Sequence, residues 1–468
     1  MTGNLFVSAR SLARKTSSGN NAASSSSFSS SNLAHQLHPA ACEVWENHVK
    51  PDSLFEWQES AIPTLLEASR SGENAIVSAA TGNGKASASL FFPLPHYFNF
   101  YLFAQSIVVT PSILECVLSG RRKFVLYIVP LRALVAQVVE HFEKVEDESS
   151  RPFGAMAYTG ETAAPVPPAR GGGILICTPE KATSIVLSLI QAHRLNEIAL
   201  VIVDEAHNVG RESSRAEAWQ LVLTLLLFFA PSAPLFLLSA TIASMISELQ
   251  EWLRVKEKFI VRQEARRVPL YHFCYVESTR QIFAVKENGR IERDEKRVAA
   301  SRFGDLAWLD FIFKLGAKEN CIVFVPSIEN SRNLALRIAK FIGMMRVPFA
   351  DPSLADARKH QAAQLPNAMR RCIACGVAWH NGNLSSQERE VVQEAFKQKS
   401  IRLIVATTTL AAGINLPTRL VILRKLCFWQ GESIEAGRFA QMCGRAGRPG
   451  FDDCGDALVI LKSNRELT

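Results

Sequence analysis

The sequence predicts an α/β protein with two domains, each built on a parallel β-sheet. Short, uninterrupted apolar runs alternate with segments of helical length, which is typical of strands buried on both faces of a parallel sheet. The alternation occurs in two sets, separated by a charged stretch from Lys286 to Arg302. The 468 residues are enough for two hydrophobic cores. The charged stretch is where we expect a hinge between the domains.

Each apolar run predicts one buried strand. In the first domain the runs are Ala75–Ala79, Val125–Val129, Gly173–Cys177, Leu200–Val203 and Leu235–Leu238. In the second domain they are Cys321–Val325, Arg402–Ala406 and Arg419–Leu423. A segment of helical length after a strand indicates a βαβ unit. We therefore expect a first domain over residues 41–264 and a second over residues 265–468.

Residues 1–40 differ in composition from the rest of the chain. They are rich in serine, contain Arg10, Arg14 and Lys15, and have no acidic residue before Glu43. So few apolar residues predict disorder. An organelle transit peptide has the same arginine-rich, serine-rich and acid-poor composition, and it stays as the alternative. Both interpretations put this segment outside the folded domains.

The overall composition is that of a globular protein, with 48% hydrophobic and 21% charged residues. The net charge of +8 fits an ordinary basic surface as well as a polyanion-binding one. Ten cysteines at irregular spacing predict reduced thiols inside the cell. No membrane span is expected. The apolar run Leu221–Ala230 is shorter than the ~20 residues a span needs, and Leu90–Val109 is interrupted by prolines and polar residues.

A glycine-containing loop follows the first predicted strand and precedes a helix. Such a loop turns backbone N–H groups towards phosphate oxygens, and the helix N-terminus adds positive potential. This predicts ATP binding, with Lys85 reaching the β- and γ-phosphates. The next position usually carries the Ser or Thr hydroxyl that binds Mg²⁺, but here it is Ala86. The predicted phosphate-binding residues are Ala80, Thr81, Gly82, Asn83, Gly84 and Lys85.

Two adjacent acidic residues follow the strand Leu200–Val203 directly. Carboxylates at the carboxyl end of a parallel strand lie where doubly wound sheets bind ligands. We predict that Asp204 binds Mg²⁺ and that Glu205 orients or deprotonates the attacking water. With His207 these residues complete the motif D-E-A-H.

Three further segments follow this motif. The small residues Ser239, Ala240 and Thr241 come after a strand. In isolation they indicate a turn, but after a D-E-A-H motif they match the element that relays the nucleotide state to a nucleic-acid site. Arginines in a glycine-rich turn can approach phosphate oxygens and stabilise charge on the transferred group. In the second domain the predicted catalytic residues are Gln441, Arg445 and Arg448. The segment Ala406–Pro417, with Thr409 and Gly413, follows a strand and suits contact with phosphate and with a nucleic-acid backbone.

Together and in this order, these segments resemble the superfamily 2 DExH-box helicases. The branch they resemble most holds the helicase domain of DNA polymerase theta, its stand-alone helicase relatives and their archaeal counterparts. The blocks C-T-P-E-K, A-R-R-V-P-L, L-A-A-G-I-N-L-P and Q-M-C-G-R-A-G-R carry the resemblance, which covers roughly Leu54 to Leu461. It implies two tandem RecA-like domains of the P-loop NTPase type.

The resemblance also implies roles beyond the ATPase residues. Gln58 would recognise adenine, and Gly413 would contribute to the nucleotide site. The protein would translocate 3′ to 5′ along a bound single strand, whose backbone it would contact. In the first domain the contacting residues are Pro130, Arg132, Thr178 and Pro179, and in the second they are Pro326, Ser327, His380 and Thr409. Contacts of this kind give salt-sensitive, sequence-tolerant binding.

The sequence departs from this branch in two places. It ends before the winged-helix and ratchet domains, so we expect weak processivity. It also contains an aromatic-rich surplus of residues from about Ala86 to Pro111, which begins where the hydroxyl residue is missing. One break in the gene model, such as a retained intron, would explain both the surplus and the missing hydroxyl. Sequencing the transcript across this junction tests that hypothesis.

The sequence therefore predicts an ATP-dependent 3′–5′ helicase that binds single-stranded or forked DNA and unwinds DNA in repair, with ATP and Mg²⁺ as cofactors. Two alternatives stay open. RNA is the substrate of related branches, and backbone contacts distinguish the two sugars poorly. A nucleic-acid-binding fragment with impaired catalysis is the other alternative, because of Ala86 and the adjoining surplus. The branch implies the nucleus, whereas the amino-terminal composition leaves a mitochondrion or another organelle open. The sequence identifies no protein partner.

Overall fold

In the computed structural model the chain forms two compact units, and the boundary between them along the chain lies between Arg267 and Val268. We call the unit before this point lobe 1 and the unit after it lobe 2. The structure describes residues 37–50, 54–79, 106–119, 123–160, 172–209, 214–242, 245–263, 266, 268–285, 290–293, 306–314, 319–345, 349–407, 416, 418–424, 434, 436–447 and 452–463. The predictions for residues 1–36 and for the loop Ala80–Lys85 lie outside these ranges.

Lobe 1 is a parallel sheet with helices between its strands. Its described strands are β1 (Ala75–Ala79), β2 (Phe124–Ile128), β3 (Ala155–Tyr158), β4 (Gly173–Cys177), β5 (Ile198–Asp204), β6 (Leu235–Ser239) and β7 (Ile260–Gln263). Its described α-helices are α1 (Pro39–Val44), α2 (Glu56–Ser71), α3 (Ser106–Leu118), α4 (Arg132–Ser149), α5 (Pro179–Gln191), α6 (Ser214–Phe229) and α7 (Ile246–Trp252). A π-helical turn, Trp45–Val49, continues α1.

The strand order of the lobe 1 sheet is β3-β4-β2-β5-β6-β1-β7. Every pair of neighbours is parallel. The five residues of β1, β2, β4 and β6 are all buried, as expected for aliphatic strands covered on both faces. Because parallel strands end at the same edge, the carboxyl ends of β1, β2, β4, β5 and β6 lie at one edge of the sheet. Apart from Gln58, the described site residues predicted for lobe 1 lie at this edge.

Helix α3 contains the last residues of the predicted surplus segment. It begins at Ser106, and Val108, Val109, Ile113 and Leu114 are fully buried in the lobe 1 core. Ser106 to Pro111 therefore belong to a core helix, because their apolar side chains pack inside the domain. The rest of the predicted surplus lies outside the described residues.

Lobe 2 contains a larger, mixed sheet. Its described strands are β8 (Leu270–Val276), β9 (Gln281–Val285), β10 (Ile291–Arg293), β11 (Cys321–Phe324), β12 (Val377–His380), β13 (Leu403–Ala406), β14 (Leu420–Arg424) and β15 (Gly455–Leu461). Its described α-helices are α8 (Leu309–Lys314), α9 (Ile328–Met345), α10 (Ala355–Gln361), α11 (Asn367–Ala374), α12 (Ser386–Lys397) and α13 (Ala436–Cys443).

The strand order of this sheet is β10-β9-β8-β15-β14-β11-β13-β12. Strands β11 to β15 are parallel to their neighbours, and β8 pairs in parallel with β15. Strands β8, β9 and β10 form an antiparallel meander at one end of the sheet.

The meander shows that the predicted hinge position is wrong. Strands β8 and β9 precede the charged stretch Lys286–Arg302, and β10 lies within it. All three belong to the lobe 2 sheet because β8 pairs along its whole length with β15. The α/β prediction itself, with two sheets and parallel strands at the predicted apolar runs, is confirmed.

Among the described helices, none combines the length and the apolar character that crossing a bilayer requires.

Candidate active site

The site is built around the carboxyl end of β5, between β2 and β6. Asp204 is the last residue of this strand and is only 3% exposed. Glu205 follows with a positive φ of 53°, a conformation that costs a non-glycine residue energy and is concentrated at functional positions. The backbone N–H of Glu205 donates to Asp204 Oδ1 at 2.8 Å, which fixes the first carboxylate. The turn thus places two carboxylates side by side at the sheet edge.

The electrostatics of Asp204 fit a cation site. Burial, together with the neighbouring Glu205 carboxylate, raises the pKa of Asp204 from 3.8 to about 8, against hydrogen bonds from the Glu205 N–H and the Tyr127 hydroxyl, which lower it. The Tyr127 hydroxyl lies 3.5 Å from Asp204 Oδ2. Hard carboxylate oxygens are the ligands Mg²⁺ prefers, and it is commonly held by one or two carboxylates together with substrate phosphates. Asp204 therefore suits the metal role predicted for it.

His207 links the acidic turn to the end of the neighbouring strand β6. Its side chain is 5% exposed, and its Nδ1 lies 3.2 Å from Glu205 Oε2 and 3.1 Å from Ser239 Oγ. Ser239 Oγ in turn accepts a hydrogen bond of 3.2 Å from the backbone N–H of Thr241. Three predicted coupling residues are thus joined to the predicted base by direct contacts. Ala240 lies between the two bonded residues.

The other described lobe 1 candidates lie at the same sheet edge. Pro130 is buried just after β2, and Arg132 is exposed at the first position of α4. Thr178 is 5% exposed after β4, and Pro179 begins α5. The N-termini of α4 and α5 therefore lie at the ends of neighbouring strands. Helix N-termini attract anions through their unpaired N–H groups.

Gln58 has a defined local role. It is 3% exposed in the first turn of α2, and its Oε1 accepts a hydrogen bond of 3.0 Å from the N–H of Phe55. This bond satisfies an N–H group at the start of the helix and fixes the carboxamide plane. The loop Ala80–Lys85, which would bind the phosphates, lies outside the described residues. Its preceding strand, β1, ends at the same edge as β5.

In lobe 2 the described residues predicted to contact nucleic acid lie at the carboxyl ends of β11 and β12, which are separated in the sheet by β13. Pro326 and Ser327 follow β11, and Ser327 Oγ caps α9 by accepting from the N–H of Asn330 at 3.1 Å. His380 ends β12, is 1% exposed, and has its Nε2 3.1 Å from Gln393 Nε2. Burial lowers the pKa of His380 from 6.5 to about 4, which keeps the ring neutral. Thr409 and Gly413 lie outside the described residues.

Asn381 joins the turns after β11 and β12, and the sequence analysis missed it. The side chain is 3% exposed, and its Nδ2 donates to Ser331 Oγ at 2.9 Å and to the carbonyl of Ile328 at 3.5 Å. Its Oδ1 accepts from the N–H of Asn383 at 3.0 Å. A buried amide with three partners holds both turns in one arrangement. A single asparagine beside a predicted contact residue gives no such signal in a sequence.

Two of the three predicted catalytic residues of lobe 2 are described, and both lie around the end of α13. Gln441 is in this helix, and Arg445 is in the turn after it; both are partly buried, and Arg448 lies outside the described residues. The carbonyl of Arg445 accepts from the N–H of Thr418 at 2.9 Å, just before β14 begins. This turn therefore lies at the amino end of β14, at the opposite sheet edge from Pro326 and His380. Within lobe 2 the structure thus separates the two predicted groups.

Gly447 shapes the turn that carries Arg445. Its φ is +89°, and a Cβ at this position would lie 2.7 Å from Val268 Cγ1. Its N–H donates to the carbonyl of Thr418 at 2.7 Å. Only glycine meets both the positive φ and the close approach at low energy.

Two family models match the chain. The DEAD/DEAH box helicase model matches residues 55–249, and the helicase conserved C-terminal domain model matches residues 306–450. The first covers the edge of the lobe 1 sheet with Asp204 and Ser239. The second covers the lobe 2 segment with Pro326, His380 and Arg445.

Curated relatives match over most of this chain. The "Helicase POLQ-like" proteins of Caenorhabditis elegans and Homo sapiens are 27% and 28% identical to it over 92% and 88% of its length. The "ATP-dependent DNA helicase Hel308" of Thermoplasma acidophilum is 26% identical over 88% of it. The alignments cover 44%, 36% and 53% of these three relatives, so the chain spans about half of their length or less.

The two domain matches, their order and these relatives agree with the arrangement at the ends of β5, β6, β11 and β12. The chain belongs to the superfamily 2 DExH-box helicases, in the branch of the DNA polymerase theta helicase domain, the POLQ-like helicases and Hel308.

Proposed function

We propose that this chain is an ATP-dependent DNA helicase that moves 3′ to 5′ along a single strand and acts in DNA repair. One observation carries the proposal: Glu205, His207 and Ser239 form a contact chain from the acidic turn of β5 to the end of β6. Such a chain would connect the state of the carboxylate beside the proposed metal ligand to the end of a neighbouring strand. A motor requires such a link between hydrolysis and movement.

In this proposal each residue of lobe 1 has a separate task. ATP would bind on the loop Ala80–Lys85, with Lys85 on the β- and γ-phosphates and Gln58 at the adenine. Asp204 would hold Mg²⁺, which neutralises charge on the phosphates. Glu205 would orient the attacking water and accept its proton. Gln441, Arg445 and Arg448 of lobe 2, with Gly413, would complete the site and stabilise the charge that develops on the γ-phosphoryl group.

The nucleic-acid strand would bind at the sheet edges of both lobes. In lobe 1, the N-termini of α4 and α5 offer backbone N–H groups beside Arg132 and Thr178, which suits phosphate oxygens. In lobe 2, the turns around Pro326, Ser327 and His380, with Thr409, would hold the same strand. The relay through Ser239, Ala240 and Thr241 would connect this surface to the nucleotide. Binding by backbone contacts accounts for sequence tolerance and salt sensitivity.

The choice of DNA rests on the branch, in which Hel308 is named a DNA helicase. The substrate would be single-stranded or forked DNA, and the nucleus would be the compartment, with a mitochondrion or other organelle as the alternative. RNA is the competing substrate because backbone contacts distinguish the sugars poorly.

Ala86 favours a second candidate, a nucleic-acid-binding fragment with impaired catalysis. The residue stands where a hydroxyl normally binds Mg²⁺, so the metal would have one ligand fewer. The variant Ala86→Thr restores this hydroxyl. If the fragment is impaired for this reason alone, Ala86→Thr hydrolyses ATP at least roughly tenfold faster than the wild type, as expected for a lost metal contact. Equal rates argue that the missing hydroxyl is not limiting.

Strand displacement tests the proposed activity and its direction. A fluorescent duplex with a 3′ single-stranded DNA overhang should be unwound with ATP, and the same duplex with a 5′ overhang should not. Matched RNA overhangs should support less unwinding. Glu205→Gln is the control that retains the fold and lacks the base. Unwinding from the 5′ overhang would overturn the direction, and unwinding on RNA alone would overturn the substrate.

A further inference from the structure

We propose that Asn208 is a positioning residue that fixes the proton of His207 on Nδ1 and so orients Glu205. The residue directly follows the D-E-A-H motif, and its role rests on the proposed ATP hydrolysis. Asn208 is partly buried in the short 3-10 turn after Glu205. Its Nδ2 lies 2.8 Å from the carbonyl oxygen of Glu205 and 3.3 Å from His207 Nε2.

The contact with the Glu205 carbonyl distinguishes the nitrogen of the Asn208 carboxamide from its oxygen. A backbone carbonyl oxygen only accepts hydrogen bonds, so the atom of Asn208 that faces it is the NH₂ donor. The same Nδ2 carries a second hydrogen, and His207 Nε2 lies within hydrogen-bond distance of it, at 3.3 Å. This ring nitrogen must therefore accept. In a neutral imidazole one nitrogen donates and the other accepts, so the proton is on Nδ1.

A proton on Nδ1 can be donated to the two oxygen atoms beside it. Glu205 Oε2 lies 3.2 Å away and Ser239 Oγ lies 3.1 Å away. A donor at this position holds the carboxylate by a charge-assisted hydrogen bond. With the opposite tautomer, the lone pair of Nδ1 would face the carboxylate and repel it. The tautomer thus decides whether Glu205 is held in place or pushed away.

Asn208 also supports the backbone of Glu205. Both its side-chain Nδ2 and its backbone N–H, at 3.1 Å, donate to the carbonyl oxygen of Glu205. Glu205 has a φ of +53°, which needs stabilisation by its surroundings. One asparagine therefore holds the main chain of the base and, through His207, its side chain.

The test reverses the polarity of the contact. Asn208→Asp replaces the NH₂ donor by a carboxylate oxygen of the same shape, which attracts a proton to His207 Nε2. Nuclear magnetic resonance of the full chain with ring-¹⁵N histidine should show His207 Nε2 unprotonated in the wild type and protonated in Asn208→Asp. The variant His207→Gln assigns the signal. A protonated Nε2 in the wild type, or no change in the variant, would overturn the inference.

Kinetics supply a second readout. Asn208→Asp should lower kcat for ATP hydrolysis by about 10- to 100-fold, the usual effect of a residue that positions a functional group. KM for ATP should change little, because Asn208 supports the base and not the nucleotide. Asn208→Ala, which removes the donor and adds no charge, should lower kcat less. A loss confined to KM would contradict the role.

Asn74→Asp is the matched control. Asn74 lies in the same lobe, where Nδ2 donates to the carbonyl of Leu253 at 2.8 Å and Oδ1 accepts from the N–H of Leu235 at 2.9 Å. The same substitution there should leave the His207 signal unchanged, even if it lowers the melting temperature. A wild type that hydrolyses no ATP refutes the proposed function, while the His207 spectrum still decides the role of Asn208.

Discussion

At the scale of single residues, the site depends on polar groups that are buried at the ends of apolar strands. Asp204 follows Leu200 to Val203, all of which are fully buried. An ionised carboxylate in such surroundings is destabilised unless a cation or donors compensate. The acidic pair could be predicted from the sequence, because a carboxylate after an apolar run is a local pattern. The contact of Asn208 with His207 could not, because the partner atom depends on the turn conformation.

Asp204→Asn should stabilise the nucleotide-free protein at neutral pH while abolishing hydrolysis. The folded pKa of Asp204, about 8, lies above its ordinary 3.8. Its stabilising contribution is therefore complete below pH 3.8 and is lost as the pH rises through 8. In the absence of Mg²⁺, the variant should melt higher near pH 8 by about 2–4 °C for each kcal/mol gained. Thermal melts at pH 5 and pH 8 check this; a variant that melts lower at both would refute it.

His380 should make lobe 2 sensitive to acid. Its folded pKa of about 4 lies below the ordinary 6.5, so the unfolded chain takes up the proton first. The stability is complete above pH 6.5 and is lost as the pH falls towards 4, by a few kcal/mol at most. In denaturant unfolding, the free energy of unfolding of His380→Gln should fall less between pH 7 and pH 5 than that of the wild type. His360→Gln, an exposed histidine of the same lobe, is the control and should lose as much as the wild type.

At the scale of elements, turns between strands and helices hold the site residues in place. The strand positions could be predicted because buried parallel strands form continuous apolar runs, as in Gly173–Cys177 and Leu235–Ser239. The start of α3 could not be predicted, since the residues before Ile113 differ from the pattern expected next to a phosphate loop. In the structure the helix begins at Ser106, and Val108 and Val109 are buried in the core.

Gly447→Ala should destabilise lobe 2 and slow hydrolysis. Alanine at a φ of +89° costs about 1 kcal/mol or more, and its Cβ would meet Val268 and Gly455 within 3.3 Å. The displaced turn would move Arg445. Gly343→Ala is the matched control, because this glycine is in helix α9 with nothing within 4 Å of the added Cβ. The control should gain roughly 0.5–1 kcal/mol. Equal effects in both variants would show that the turn does not need glycine.

Asn381→Ala should weaken single-strand binding by lobe 2. The substitution leaves Ser331 and Asn383 without their amide partner and frees the turns around Ser327 and His380, at a cost of about 1 kcal/mol. Fluorescence anisotropy with labelled DNA should give a dissociation constant about fivefold higher. Asn333→Ala is the control, because Asn333 is an exposed asparagine of α9, the helix that contains Ser331. Unchanged affinity in Asn381→Ala would separate this network from strand binding.

At the scale of the whole molecule, two sheets each supply part of one proposed motor. The order of motifs along the chain could be predicted, because the family blocks are continuous in sequence. The hinge position could not, because β8 and β9 precede the charged stretch Lys286–Arg302 and still belong to the lobe 2 sheet, in which β8 pairs with β15. The pairing between β8 and β15 joins residues that are far apart in the chain, so it cannot be predicted from a local sequence pattern.

The most direct test of the account is the rate of ATP hydrolysis with and without single-stranded DNA, in the wild type and in Glu205→Gln. The account predicts that DNA raises the wild-type rate severalfold, that added salt removes the stimulation, and that Glu205→Gln binds the same DNA but stays at background in both conditions. Hydrolysis by Glu205→Gln at the wild-type rate would contradict it. DNA binding without ATP hydrolysis in both the wild type and the Ala86→Thr variant would also contradict it.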